Sequence, residues 1–198
     1  MLLNKNNLEL QEYCDKTGAR AEIGGIYITP EETVATNSFM LVSVSTPKGD
    51  VKDFPQSSTP FNAKQVRTII PAQLATNVAK KIKKNQTLPI CENAVIKSFK
   101  GEEQITFATT DLEIWEETTG RVIKGDYPQY KNLIPTEEPK AKVNVDYKYL
   151  KSVITALART SDSGRSISVE LYGDDKPIVL RSKNDSQETL ALVMPTKK

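Results

Sequence analysis

The sequence contains no histidine among its 198 residues. This absence removes the commonest general base, the commonest metal ligand and every nucleophilic triad that depends on histidine. The chain also has no glycine-rich phosphate loop and no nucleophile elbow. We therefore predict that the protein is not an enzyme and that it uses no metal and no cofactor.

Cysteine and long apolar runs are also scarce. The two cysteines, Cys14 and Cys91, lie far apart and fit no metal-binding or redox spacing, so we expect reduced thiols. No window of about 18 uncharged apolar residues could span a membrane. Lys5 and Glu9 stand where a signal peptide would need an apolar run. These features predict a cytoplasmic protein.

The composition is that of a globular protein with 38% apolar and 26% charged residues. The net charge of +2 says little about nucleic-acid binding, so the distribution of the basic residues matters more.

Residues 34–42 and residues 107–114 are similar to each other. Each stretch carries a small residue, a threonine and a polar residue within a strand-like apolar pattern, and each follows another strand candidate, residues 25–28 and 94–99. Turn-forming residues at 30–32 and 100–103 separate the members of each pair, so both pairs are predicted to be hairpins. Similarity at this spacing indicates an internal repeat.

Two helices are predicted outside these hairpins. Residues 71–84 place Leu74, Val78 and Ile82 on one apolar stripe, with Asn85 as a candidate cap at the end. A second helix is predicted from an N-cap at Asp146 through Leu157. A weaker, short helix is predicted within residues 7–15, and three strands are predicted at 166–172, 177–182 and 189–194.

These elements predict an α+β fold of antiparallel sheets with helices on one face. The pattern is about three strand–helix–strand–strand–strand repeats, in residues 1–60, 61–138 and 139–198, with no clear opening strand in the first. Residues 46–60 are predicted to be a loop and residues 136–140 an interdomain linker.

Five segments, in order along the chain, resemble motifs of the bacterial DNA sliding clamps, the beta subunits of DNA polymerase III. The strongest is residues 120–135, GRVIKGDYPQYKNLIP, which is similar to the segment that closes the middle domain of a clamp. The others are IIPAQL at 69–74, the GI and VAT strands at 25–26 and 34–36, YLKSVITAL at 149–157 and LVMPTKK at 192–198.

The resemblance implies the DNA-clamp fold, with one clamp-like domain of two repeats at 1–138, similar to the middle clamp domain. Residues 139–198 would form a half-domain of one repeat, similar to the end of the last clamp domain. The chain is about half the size of an ordinary clamp. Because family rings contain twelve repeats, three repeats per chain imply a homo-oligomer, and a closed ring would need four chains.

The resemblance also implies sequence-independent contact with duplex DNA through basic helices. The candidate DNA-binding residues are Lys80, Lys81, Lys83, Lys84, Lys148, Lys151 and Arg159. A solvated lysine face near a helix C-terminus is the alternative interpretation.

A cleft for short apolar peptides of polymerases and clamp loaders is the second site that the resemblance implies. Its candidate residues are Thr36, Ser38, Met40, Leu41, Pro128, Asn132, Leu133, Tyr149, Ile178, Val193, Met194 and Pro195. The alternative is that these are ordinary core positions at a domain junction. Where the family has Gly-His-Arg, this chain has Ser38-Phe39-Met40, so its ligand preference could differ.

Two other functions remain open at this point, and so does a third possibility, that the chain is a natural fragment that needs a partner chain to complete its last domain. The first is a clamp-like interaction protein, of phage or mobile-element type, that binds clamp partners without encircling DNA. The second is an enzyme that uses carboxylates such as Asp111 and Glu113. We expect those two residues to alternate with Leu112 and Ile114 on a strand and to face solvent, which disfavours the enzyme.

Overall fold

The computed structural model describes residues 1–55, 66–85, 87–100, 103–161 and 166–196. Parts of the predicted loop at 46–60 and of the turn at 100–103 lie outside these residues, as do the last two residues of the 192–198 motif. The chain packs as two units, Met1–Leu133 and Ile134–Lys198. Among the described residues, no helix is long and apolar enough to cross a membrane.

The first unit contains two repeats of the same element order. The first repeat consists of β1 (Leu2–Asn4), α1 (Lys5–Leu8), β2 (Gly25–Ile28), β3 (Glu32–Thr36) and β4 (Leu41–Ser45). The second consists of β5 (Thr68–Pro71), α2 (Ala72–Lys81), β6 (Asn93–Lys100), β7 (Gln104–Thr110) and β8 (Trp115–Arg121). Short 3-10 helices occur at Gln11–Tyr13, Ala21–Ile23, Val51–Asp53, Pro89–Glu92 and Tyr130–Leu133.

The two repeats exchange their opening strands. β1 joins the sheet of the second repeat in the order β1-β6-β7-β8, and β5 joins the sheet of the first repeat in the order β4-β3-β2-β5. All of these pairings are antiparallel, with Leu3 opposite Ala94 and Ile70 opposite Ile26. Each sheet is therefore completed by the other repeat.

The apolar stripe of α2 packs into the main core of this unit. Leu74, Val78 and Ile82 are all buried, as the sequence predicted. The helix is shorter than the predicted 71–84, because Ile82 adopts an extended conformation that carries its side chain into the core. Lys83 and Lys84 therefore follow the helix, and Asn85 caps the next turn by accepting from the Leu88 amide at 2.9 Å.

The second unit contains one repeat: α3 (Tyr147–Leu157), β9 (Ser168–Glu170), β10 (Ile178–Lys183) and β11 (Glu188–Val193). Its antiparallel sheet has the order β11-β10-β9, and α3 packs on β11 and β10. Leu157, Ile178, Leu180 and Val193 form its core. The Asp146 side chain caps α3 by accepting from the Lys148 amide at 2.7 Å, as predicted.

In all three repeats the last two strands are connected by the same kind of four-residue turn. The side-chain oxygens of Asn37, Asp111 and Asn184 each accept two backbone N–H groups, from the second and third following residues. Ser38 and Leu112 have positive φ values of 74° and 83° in the first two turns. These turns interrupt the predicted strands at 34–42 and 107–114.

The turn at Asp111 corrects the expected orientation of two carboxylates. Asp111 and Glu113 lie in the turn between β7 and β8 and do not alternate along a strand. The Asp111 carboxylate is held by Lys83 and by backbone amides, and these contacts lower its pKa to about 2. The hydrogen bonds of Asp111 therefore stabilise the turn.

The predicted α+β fold with antiparallel sheets is confirmed, but the repeats differ from the prediction in detail. The first repeat does have an opening strand, β1. Within the described residues it is the third repeat that lacks one. The predicted short helix at 7–15 is replaced by α1 at Lys5–Leu8 and by the 3-10 turn at Gln11–Tyr13.

Candidate peptide groove and basic helix face

A groove of about 430 Å³ lies on the second unit between α3 and the chain that follows β11. Tyr149 and Val153 form the helix side, and Leu192, Met194 and Pro195 form the other side. The Tyr149 and Met194 side chains are 68% and 66% exposed. The groove is therefore apolar and open, as expected of a site for a short apolar segment.

The walls of this groove are held by the core beneath them. Val193 points inward and is buried, so its neighbours Leu192 and Met194 point outward, because side chains alternate along a strand. On the helix, Leu157 anchors the C-terminal turn in the same core. After β11, the Thr196 amide donates to the Asn144 carbonyl at 2.7 Å and fixes the direction of the tail.

The five candidates on this unit divide between groove and core. Tyr149, Met194 and Pro195 line the groove with accessible side chains. Val193 borders it but is only 2% exposed. Ile178 is buried in the sheet core and does not line the groove.

On the first unit, candidates gather around the turn between β3 and β4. The Thr36 hydroxyl donates to the Met40 carbonyl at 2.8 Å and closes this turn. Ser38 and Met40 are exposed, and Leu41 is half-buried at the start of β4. Phe39, which the sequence analysis left out of the site, is 97% exposed at the tip. The sequence could have indicated Phe39 as a site residue, because it is a large aromatic residue directly beside the candidate Met40.

The other candidates of the first unit follow β8. They lie in residues 122–133, here called the closing segment of the unit, and Pro128, Asn132 and Leu133 are all exposed there. Tyr127 anchors the segment by stacking on Tyr27 of β2, with ring centroids 4.7 Å apart and an interplanar angle of 8°.

Tyr130 provides a second anchor for the closing segment. Its hydroxyl donates to the Glu32 carboxylate of β3 at 2.7 Å. Burial and this hydrogen bond to the carboxylate raise the pKa of Tyr130 above its usual value. Burial alone would raise the pKa of Glu32, but hydrogen bonds from Ser43 and Tyr130 and the charge of Lys131 outweigh burial and lower it. The segment is thus fixed by a stacked ring and a charge-assisted hydrogen bond.

The basic candidates near α2 separate into two pairs. Lys81 forms an ion pair with Glu116 at 3.0 Å, and Lys83 forms one with Asp111 at 2.6 Å. Lys80 and Lys84 are exposed and have no ion pair with any residue that the structure describes. Lys80 and Lys84 therefore have the charge available for phosphate, whereas Lys81 and Lys83 hold α2 to its own repeat.

The basic candidates of the second unit share one side of α3. Lys148, Lys151 and Arg159 line an open depression of about 590 Å³ together with Tyr147 and Thr155. All three are exposed, and none pairs with a carboxylate among the described residues. Three unpaired cations on one helix face are the arrangement that contacts a phosphate backbone without reading sequence.

The two cysteines play no part in either site. Cys14 and Cys91 are both buried, and neither forms a disulfide within the described residues. Burial raises the pKa of the Cys14 thiol to about 11, so it is an unreactive core residue. No group of three or more His, Cys, Asp or Glu residues in the described ranges could hold a metal ion.

Comparison with known proteins gives matches among solved structures alone. No family model and no curated protein matches the sequence. The DNA polymerase III beta subunit of Borrelia burgdorferi, solved in complex with a natural product, matches with a TM-score of 0.71 at 14% identity, over 98% of this chain and 48% of that one. The sliding clamp of Bacillus subtilis matches with a TM-score of 0.68 at 16% identity, over 100% and 49%. The beta subunit of Thermotoga maritima matches with a TM-score of 0.66 at 18% identity, over 100% and 50%.

These matches define the class of fold. The chain has the DNA-clamp fold along nearly its whole length. More particularly, it has the fold of the bacterial DNA polymerase III beta subunit, and it spans about half the length of the structures that it matches.

Proposed function

We propose that the protein is a sliding clamp-like processivity factor. It tethers a polymerase or another replication protein to duplex DNA and catalyses no reaction itself. Its partners are duplex DNA, bound without sequence preference, and short apolar peptides of polymerases and clamp loaders, and it works in the cytoplasm as a homo-oligomer. The observation that carries the proposal is the open apolar groove of the second unit on a chain with the clamp fold.

The groove has the chemistry that a short apolar peptide needs. Tyr149 supplies a broad exposed ring, and Met194 supplies a flexible thioether side chain that adapts to different apolar ligands. The exposed Phe39 and Met40 and the half-buried Leu41 give the first unit an apolar patch of its own. We propose that this patch, together with Pro128, Asn132 and Leu133, also binds apolar peptide segments.

Titration with a fluorescent peptide that binds bacterial clamps tests the groove. Tyr149→Ala and Met194→Ala should each weaken binding by about tenfold or more, or roughly 1.4 kcal/mol, because each removes a side chain that faces the groove. Leu41→Ala tests whether the apolar patch of the first unit contributes to peptide binding. Leu190→Ala is the matched control, since Leu190 is a 50% exposed apolar residue of β11 that does not line the groove. Absence of saturable binding, or equal affinity for Met194→Ala and the wild type, would sink the proposal.

DNA binding is proposed to use the unpaired cations Lys80 and Lys84 of the first unit and Lys148, Lys151 and Arg159 of the second. Their contacts with phosphates release counterions and carry no base recognition. A clamp that encircles DNA should be retained on circular DNA and lost from the ends of linear DNA of the same sequence. Equal retention on circles and linear fragments would contradict encirclement.

A second candidate function is a clamp-like interaction module that binds clamp partners without encircling DNA. One observation favours it: Lys81 and Lys83, two of the candidate DNA-binding residues, are engaged in ion pairs. This function predicts normal peptide binding with no topological retention on circular DNA. The two DNA substrates and the peptide titration together separate the candidates.

A further inference from the structure

The single repeat of the second unit lacks neighbours that both repeats of the first unit have. The shared turns at Asn37, Asp111 and Asn184 align the three repeats residue by residue. In this alignment Val169 corresponds to Ile28 and Ile96, and Asn144 corresponds to Ile69. The equivalent positions show what each repeat of the first unit gains from its partner repeat.

Residues 143–146 occupy the place of an opening strand in the second unit. They precede α3 directly, as β5 precedes α2. The Thr196 amide donates to the Asn144 carbonyl at 2.7 Å, and at the equivalent positions the Ile123 amide donates to the Ile69 carbonyl at 2.8 Å. One edge of this segment is thus bound as in β5. Its other edge, which in β5 pairs with β2, meets no strand in the described part of the chain.

The outer edge of β9 lacks the partner strand that a segment such as residues 143–146 could supply. β9 pairs with β10 alone among the described strands, whereas β6 and β2 each pair on both sides. The Ile96 amide donates to the Met1 carbonyl, next to β1, at 3.2 Å. Ile28 and Ile96 are fully buried in the first unit, but Val169 at the equivalent position is 56% exposed. The second unit therefore presents an apolar strand edge that no other described strand covers.

The inner side of α3 shows the same lack of cover. Ile154 of α3 corresponds to Ala79 of α2. Ala79 is 1% exposed, because α2 packs against α1 and β2 of the other repeat as well as against its own sheet. Ile154 is larger, yet it is 42% exposed. A large, exposed apolar side chain thus stands where the first unit has a small, buried one that faces the other repeat.

We infer that a second copy of this chain completes the second unit by reciprocal exchange of opening strands. Residues 143–146 of one copy pair antiparallel with residues 166–169 of the other, and the same pairing recurs around a two-fold axis. The register follows from the first unit: Val145 lies opposite Ile167, Asn144 opposite Ser168, and Val143 opposite Val169. The inference deepens the proposed homo-oligomer by naming its surface and register.

A second copy fits this surface because the surface is self-complementary. Each chain carries one extended segment, residues 143–146, in the place of an opening strand, and one sheet edge that such a segment would cover. Both repeats of the first unit solve this problem by reciprocal exchange within one chain. Val145 corresponds to Leu3 and Ile70, which are both buried in the core of the first unit, and Val143 and Val145 already pack against the core of the second.

Cysteine cross-linking of the full chain tests the register. Asn144 and Ser168 are exposed and would lie opposite each other as a non-hydrogen-bonded pair, the close pairing in an antiparallel sheet, at a separation that a disulfide can bridge. The double variant Asn144→Cys/Ser168→Cys should form a covalent dimer under mild oxidation. Asn144→Cys alone should not, because residue 144 faces residue 168 and not its own copy. Failure of the double variant to cross-link, or equal cross-linking of the single variant, would overturn the register.

Light scattering tests the interface without cysteines. The wild-type chain should have at least twice its 22.0 kDa mass, and Val169→Arg should halve that mass by placing a charge in the interface. Val169 is already exposed in the single chain, so the variant should fold normally. Leu190→Arg is the control, since Leu190 is 50% exposed on the strand at the opposite edge of the sheet. A monomeric wild type, or a Val169→Arg variant with unchanged mass, would refute the inference.

The peptide titration distinguishes this failure from failure of the proposed function. A wild-type monomer that binds clamp peptide would overturn the second-copy interface and leave the peptide groove standing. A cross-linked dimer that binds no peptide would support the interface and remove the groove function.

Discussion

The salt dependence of DNA binding is the sharpest test of the basic face on α3. Lys148, Lys151 and Arg159 are exposed and unpaired among the described residues. Replacing all three by Gln would remove the three proposed phosphate contacts per chain, and Gln is a good helix former. Because each contact contributes about 0.9 to the slope of log affinity against log salt, the slope should decrease in magnitude by about 2.7.

Because of this change in slope, the wild type should lose much more DNA affinity than the triple variant as the salt concentration rises. When salt rises fourfold, from about 50 to about 200 mM, three contacts account for about a 40-fold loss of affinity, which the variant should no longer show. Fluorescence anisotropy with a labelled duplex across this range measures both slopes.

The matched control is Lys81→Gln/Lys83→Gln, which removes two lysines that are already paired with Glu116 and Asp111. Its slope should change by less than about 1, because those charges are engaged within the protein. A triple variant with the wild-type slope, or a control that changes more than the triple variant, would refute the assignment of DNA contact to α3.

Three further predictions concern the first unit. Gly25→Ala should lower the free energy of unfolding by about 3 kcal/mol in urea titrations, because a Cβ there would lie 2.4 Å from the Ile70 carbonyl oxygen; an unchanged midpoint would contradict the close approach. Asn7→Ala should cost about 3 kcal/mol by the same measurement, since the buried Asn7 amide donates to three acceptors of β3 and β4 that would lose their partner; a loss below about 1 kcal/mol would show that water replaces it. Because the folded protein lowers the pKa of Glu32, the stability that this carboxylate contributes should be complete above its usual value of 4.5 and should be lost as the pH falls through the folded pKa. Glu32→Gln should flatten this acid-side decline in thermal melts, and a decline as steep as that of the wild type would exclude Glu32 as its source.

Local patterns predicted the helices and the general order of strands well. The four-residue spacing of Leu74, Val78 and Ile82 predicted α2, and the N-cap at Asp146 predicted the start of α3. The end of α2 could not be predicted in this way. Residues 80–84 have good helical propensity, but burial of Ile82 in an extended conformation outweighs it.

The hairpin turns were not predicted because their sequences continue the apolar pattern of the strands on either side. Ser38 and Leu112 adopt positive φ values without being glycine, and apolar residues continue through both turns. The side-chain hydrogen bonds of Asn37 and Asp111 stabilise these turns, and this signal is shared with many other sites.

The candidate site was predicted unevenly for a different reason. Ion pairs such as Lys81–Glu116 join residues far apart in the chain, so the sequence could not separate paired from unpaired lysines. Burial also decides which apolar residues face a groove. Alternation along β11 exposes Met194 and buries Val193, whereas the resemblance alone assigned both to one wall.

The exchange of opening strands also sets the order in which the chain can fold during synthesis. β1 is made first, but it pairs with β6, where Leu2 lies opposite Val95. β1 must therefore wait until β6, which begins at Asn93, has left the ribosome before it finds its place in a sheet. Such a distant pairing slows folding, and chaperones would act on the first repeat during this interval. A chain released before β6 is complete would leave β1 without a partner.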